Sequence, residues 1–292
     1  MRRILGGILA LFLGSSSAAT NGMGEEKGGT PAAQYEALLK EYQYASSSGR
    51  VLSDEERLKF VGEVYKLRNR LGQKFVELAE KNPKDPIAVQ ALIEAVRQVN
   101  TTPWPVELVG EDSARTKALA LLQRDHIKSD QLGLLCRRVS FGFCKEYETF
   151  LRAVLEMNPH KDIRGLACLG LAHFLSNRLQ RLDLIKAQPK LAKEFEDLFG
   201  KEYLRDLLRQ DRAKASQEAE ALFEQAAEKY GDVKVPDGGT VAQKAQAELF
   251  EVRHLQVGKV APDIEGQDQD GKHFKLSDYR GNVVLLDFWS EA

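Results

Sequence analysis

Thiols, imidazoles and carboxylates are the side chains here that can do chemistry at neutral pH, and the thiols are few. Cys136, Cys144 and Cys168 are all the cysteines in the chain, and no two of them form a Cys-x-x-Cys. Cys136 and Cys144 flank Ser140-Phe141-Gly142, which reads as a loop, so in an oxidising compartment they are placed to bridge adjacent helix ends. As small buried hydrophobes between packed helices they need no bridge at all. Cys168 lies among Leu166, Ala167, Leu169 and Leu171, where apolar burial raises a thiol's pKa and makes it inert. His160, Cys168 and His173 do not fall on one helical face and no second ligand cluster accompanies them, so they do not read as a metal site. His126, His254 and His273 stand alone. The many carboxylates alternate with Lys and Arg and read as solvated helix faces. One pattern stands apart: Asp287-Phe288-Trp289, at the end of an apolar run.

The elements around that pattern are β-like. Asp270-Gly271 separates two short runs, Ile264 to Gln269 and Lys272 to Leu276, and Asp-Gly supplies the positive φ angles of a two-residue hairpin turn. Ser277-Asp278-Tyr279 and Arg280-Gly281-Asn282 then form a polar turn. Val283-Val284-Leu285-Leu286 follows without alternation, which is the pattern of a strand buried on both faces.

Taken in order, Val-Gly-Lys-x-Ala-Pro-Asp (257–263), Asp-Gly-Lys (270–272) and Leu-Ser-Asp-Tyr-Arg-Gly-x-Val-Val-Leu-Leu-Asp-Phe-Trp (276–289) resemble the opening of a redoxin domain. This is the thioredoxin-like fold of the TlpA/ResA and AhpC/TSA group. The resemblance is confined to Val257–Ala292. It implies thiol–disulfide exchange or peroxide reduction without a bound cofactor. It also implies a redox Cys-x-x-Cys three residues after Phe-Trp, directly beyond Ala292, so the chain as given lacks its nucleophile. By the same resemblance Asp287 is a buried carboxylate that assists proton transfer at the second cysteine, and Trp289 shields the active-site sulfur. For Asp287 the other reading is a strand-end Asp paired with a Lys. Ala292 departs from the family, which often has Trp there. Three explanations of the stop compete: a fragment boundary, a true truncation, and a UGA codon read as termination where selenocysteine was meant. The third is favoured, because the stop coincides with a position where redoxins sometimes carry selenium.

The rest of the chain supplies context. Its composition, 43% hydrophobic and 29% charged, is that of a globular protein. A net charge of −1 offers no basic field for nucleic acid. Met1-Arg2-Arg3, the apolar run Ile4–Leu13 and the small residues Ser17-Ala18-Ala19 form a signal peptide with cleavage expected after Ala19. The apolar run falls short of the roughly 20 residues that span a bilayer. No cysteine follows it to carry a lipid. A periplasmic or envelope location is expected, with envelope clients or a thiol reductant as partners and no transmembrane span in the mature chain. Residues 20–30 read as a flexible leader.

From Pro31 to His254 the periodicity is helical. Ser53-Asp54-Glu55-Glu56 is a capping box, and Leu58, Val61, Val64, Leu67, Leu71, Phe75 and Leu78 form one stripe that ends at Asn82-Pro83. A second helix runs from Pro86 to Val99 and stops at Thr102-Pro103-Trp104-Pro105, where Trp104 reads as a plug between helical units, the alternative being a rigid exposed recognition feature. Phe150 to Asn158-Pro159 echoes Phe75 to Asn82-Pro83, and a helix over Lys161–Ser176 follows. Lys190–Arg209 reads as one or two exposed helices, and Gln217–Tyr230 with Val241–His254 as a third pair. The two Asn-Pro stops are separated by about two periods of a paired-helix repeat such as a tetratricopeptide or HEAT array. The expected fold is therefore mainly α: a solenoid-like array of paired helices over 31–254, or a less regular bundle, followed over 256–292 by the incomplete start of an α/β thioredoxin-like fold. Two functions follow. One is an exported thiol–disulfide oxidoreductase or thiol peroxidase. The other is a non-catalytic helical scaffold for protein–protein contacts in the envelope.

Overall fold

Gly165-Leu-Ala-Cys-Leu-Gly-Leu-Ala-His-Phe-Leu175 is apolar or small at almost every position, and a helix with that pattern has no face to give to water. Every residue from Gly165 to Leu175 is buried. The computed structural model describes residues 29–46, 54–99, 113–256 and 258–287; the expected signal peptide, the Ser53 cap, the Trp104 turn and Trp289 lie outside them. The described residues form ten α-helices: α1 (Pro31–Ser46), α2 (Asp54–Lys81), α3 (Ile87–Val99), α4 (Ala114–Asp125), α5 (Gly133–Val139), α6 (Lys145–Met157), α7 (Lys161–Ala187), α8 (Leu191–Arg209), α9 (Arg212–Tyr230) and α10 (Val241–Phe250). A π-helical turn, Glu251–Leu255, follows. The only sheet among the described residues is a two-stranded antiparallel hairpin of β1 (Glu265–Gln267) and β2 (His273–Lys275).

The helices pack partly on neighbours in sequence and partly, as with α9 on α7, across an intervening helix. α2 packs on α3, α6 on α7 and α9 on α10, which are the three expected pairs; α4 and α5 connect the first pair to the second, and α9 lies along α7 to join the second to the third. Phe75 and Leu78 of α2, Leu92 and Val96 of α3, Phe150 of α6, and Phe223 and Ala226 of α9 belong to one continuous core. Burying each of the larger side chains contributes about 1.5–3 kcal/mol. Local signals agree with the packing. Ser113 caps α4, Asp211 caps α9 through the amides of Ala213 and Lys214, and Thr240 with Gln243 forms a capping box on α10.

The two Asn-Pro stops serve different purposes. Asn82 turns back on its own helix, donating to the Leu78 carbonyl at 2.9 Å. Asn158 is buried and donates to the carbonyls of Ile127 and Ser129 at 2.7 and 2.8 Å, while its oxygen accepts from the His160 amide. It pins the α6–α7 break to the loop after α4. The sequence echo is real as helix punctuation, and tertiary contacts separate the two roles.

α7 is longer than the Lys161–Ser176 helix expected from the sequence. It continues to Ala187 because Leu179, Leu182 and Ile185 keep the three-residue spacing of a buried stripe. The expected Lys190–Arg209 stretch forms α8 (Leu191–Arg209) as two helical segments joined at Gly200, whose φ of +88° is left-handed.

Small residues let α7 be surrounded. A Cβ on Gly165 would lie 2.8 Å from Tyr230 Cβ in α9, and one on Gly170 would lie 2.8 Å from the Cys136 carbonyl oxygen in α5. The second neighbour is backbone and cannot rotate away. Gly170→Ala should therefore destabilise the protein by about 1–3 kcal/mol from overpacking, outweighing the ~1 kcal/mol that alanine brings to a helix. Urea unfolding would measure it, and a variant as stable as the parent would contradict the close approach.

Candidate functional site

Residues 258–287 are organised by polar contacts, and none of them is buried. Asp263 is central. Its carboxylate accepts from the Ser277 amide and from the Ser277 hydroxyl, both at 2.8 Å, which joins the start of the segment to the turn after β2. These bonds hold the Asp263 carboxyl below its ordinary range, the hydroxyl contributing most. Leu276 donates to the Ile264 carbonyl at 2.9 Å and extends the ladder by one bond. Asp278 accepts from the Lys275 amide at 2.9 Å and starts the 3-10 turn Leu276–Tyr279. Across the hairpin Lys275 pairs with Glu265 and is held protonated above its usual range by that contact. The Phe274 ring lies over Gly266, where an added Cβ would approach it to 3.2 Å, and meets Tyr279 edge-on at 6.4 Å.

The hairpin loop differs from the two-residue turn expected at Asp270-Gly271. Gln267 pairs with His273, the Gly271 amide bonds the Asp268 carbonyl, and the Asp268 amide bonds the Lys272 carbonyl. Within the loop, Gly271 alone has a positive φ, +76°. This is a three-residue loop, a turn over 268–271 ending in left-handed glycine. Asp268 stabilises it by accepting from the amides of Asp270 and Lys272. An Asp two residues before Asp-Gly gives the backbone this alternative.

The strand expected over Val283–Leu286 is not formed. Val283 is 102% and Leu285 92% exposed, with Val284 and Leu286 about half exposed. The described residues supply no neighbouring strand to complete a ladder. Asp287, at the end of this stretch, is exposed.

The thiols are held apart from this segment. Cys136, Cys144 and Cys168 are free, so the Cys136–Cys144 bridge is absent. Burial pushes the Cys136 and Cys168 thiols up to about 12 and also raises Cys144, against the opposing charges of Arg115 and Arg181. Cys168 donates to the Leu222 carbonyl at 3.4 Å. All three therefore rest as protonated thiols at neutral pH.

His173, on α7, contacts Glu248 of α10 at 3.2 Å and lies edge-on to Phe223 at 5.3 Å. The contact lowers the Glu248 pKa, the hydrogen bond being its main cause. Sequence reading missed this tie, because the partners lie on different helices. Among the described residues no three His, Cys, Asp or Glu side chains are grouped to hold a metal. A groove bordered by Leu179, Asp183, Arg212, Glu220 and Val252 encloses about 50 Å³. That is room for a water or two and far below the roughly 300 Å³ of a small-molecule site. Its charges are largely paired, Arg212 with Asp183 and Arg253 with Glu220.

A mainly helical protein ending in a hairpin, a clamped turn and an apolar run has the outline of an α-array joined to a partial thioredoxin-like redoxin segment. Residues 257–292 match the AhpC/TSA family. No curated protein and no solved structure matches the chain significantly.

The Asp263–Ser277 clamp closes the segment without a hydrophobic core. Asp263→Ala should abolish slow amide exchange at Leu276 and Ser277 while leaving α7 and α9 unchanged. Exchange at Val283–Leu286 should be fast in both proteins. Undiminished protection at Leu276 in the variant would show that the clamp is dispensable.

Proposed function

We propose that the protein is an exported thioredoxin-like thiol–disulfide oxidoreductase or thiol peroxidase, in which the helical array positions the redox domain or its client. The observation that carries this reading is the AhpC/TSA match over residues 257–292, on the stretch where Asp263, Ser277 and Asp278 shape the hairpin and turn. Thiol exchange needs a thiolate that attacks a disulfide sulfur or a peroxide oxygen. Burial keeps Cys136, Cys144 and Cys168 protonated, so none of them suits that role. The redoxin resemblance puts the reacting sulfur or selenium C-terminal to Trp289. There Asp287 assists proton transfer and Trp289 covers the sulfur. Envelope clients or a thiol reductant are the partners.

The second reading is a non-catalytic scaffold for protein–protein contacts in the envelope. Its support is the helical pairs themselves, each packed on another pair or on a connecting helix, an arrangement that in repeat proteins creates extended binding surfaces.

Joining residues 1–292 to the remaining strands and Cys-x-x-Cys helix of an active AhpC/TSA-family domain separates the two. The redox reading predicts insulin reduction or peroxide consumption by the chimera, and a loss of about 100-fold or more on Asp287→Asn, in the range of general acid–base contributions. A folded but inert chimera would favour the scaffold. For export, the mature protein recovered from the envelope fraction should begin at Thr20, and an N-terminus at Met1 would remove that part of the proposal. No α-helix among the described residues is long and apolar enough to cross a membrane.

A further inference from the structure

The C-terminal third of α7 and the helix α8 share a small core of their own. Leu182 and Ile185 of α7 pack with Leu204 and Leu207 of α8, and this cluster is separate from the main core. Among the described residues, α7 is the helix against which α8 chiefly packs. The ion pairs of α8 are internal: Lys193 with Glu196 and Asp197, and Arg205 with Glu202 and Asp206. They lie on either side of Gly200 and do not tie α8 to the array; what joins its two halves is the contact of Phe199 with Tyr203, centroids 5.1 Å apart.

Phe143 and Arg181 reach across to α8, Arg181 donating to the Tyr203 hydroxyl at 3.5 Å. Phe143, in the loop between α5 and α6, stacks on Phe199 with centroids 4.2 Å apart and meets Tyr203 edge-on at 6.4 Å. The Arg181 guanidinium lies 3.9 Å from the Phe143 ring centroid and donates to the Gly142 carbonyl at 3.1 Å. Arg181, on α7, thus steadies the loop that presents Phe143. Gly200 follows Phe199 directly, and its left-handed backbone breaks α8 next to the stacked ring.

We propose that α8 is a detachable strap: residues 191–209 open and close as one cooperative unit, held shut by the Phe143–Phe199 stack and the small core beneath it. A segment with few buried apolar contacts and self-contained charge pairs is one that opens sub-globally, below the free energy of global unfolding. The main core cannot follow, because α7 from Gly165 to Leu175 is enclosed by α5, α6 and α9. Opening uncovers Leu182, Ile185 and Phe143 as an apolar strip, giving the array a second surface state.

Hydrogen exchange followed by mass spectrometry on the full chain tests this. In the wild-type protein, amides of 191–209 should exchange together, with protection at least tenfold below that of 163–175. Phe143→Ala should lower protection in 191–209 by a further tenfold or more and leave 87–97 and 163–175 within about twofold. The wild-type measurement stands alone if the variant does not fold. Exchange of 191–209 only with the main core, or equal acceleration of every helix by Phe143→Ala, would overturn the proposal.

Discussion

The complete enclosure of α7 between Gly165 and Leu175 is the constraint on which the rest of the helical structure depends. A helix with no solvent face must be covered on all sides, and here α5, α6 and α9 cover it. Gly165 and Gly170 set how near those helices come, because a Cβ at either position would meet α9 or the backbone of α5 at 2.8 Å. Two polar side chains drawn into this interior, Asn158 and Cys168, are partnered. Asn158 bonds the Ile127 and Ser129 carbonyls, and Cys168 donates to the Leu222 carbonyl. An unpaired buried carbonyl costs about 1–3 kcal/mol, so these contacts select one arrangement of the helices.

Away from α7 the interactions change in kind. Arg137 pairs with Asp237 and holds that carboxyl near 2, and Arg152 links Glu148 of α6 to Glu218 of α9. Such exposed pairs contribute at most about 1 kcal/mol each. They orient surfaces that the core has already brought together. The C-terminal segment is the extreme case: its shape comes from Asp263, Ser277, Asp278 and the Asp268 loop, without a buried side chain. Hydrogen bonds of this kind define a turn, but an apolar run such as Val283–Leu286 needs strands on both sides before it becomes the centre of a sheet.

Much of this was legible in residue order. Apolar stripes at three- and four-residue steps marked α2, α3, α6, α9 and α10, and Asn-Pro marked the ends of α2 and α6, since proline breaks the helix that precedes it. The motif residues from Val257 to Trp289 were legible for a different reason: they are a linear pattern, and the AhpC/TSA match covers the same stretch. The turn at Asp270-Gly271 was less so. A dipeptide signals positive φ, whereas the hydrogen bonds of Asp268 decide between a two- and a three-residue loop.

By itself the sequence determined that the chain is mainly helical, where α2, α3 and α8 begin and end, and that its last residues resemble a redoxin opening, because each of these is written in local periodicity or in a contiguous motif. Only the tertiary structure decided that Asn82 and Asn158 have different partners, that His173 meets Glu248, that Asp263 clamps Ser277, and that α8 keeps a separate core. Those facts depend on which distant segments share a surface. Packing settles that through burial and close approach, and neither is expressed in the spacing of neighbouring residues.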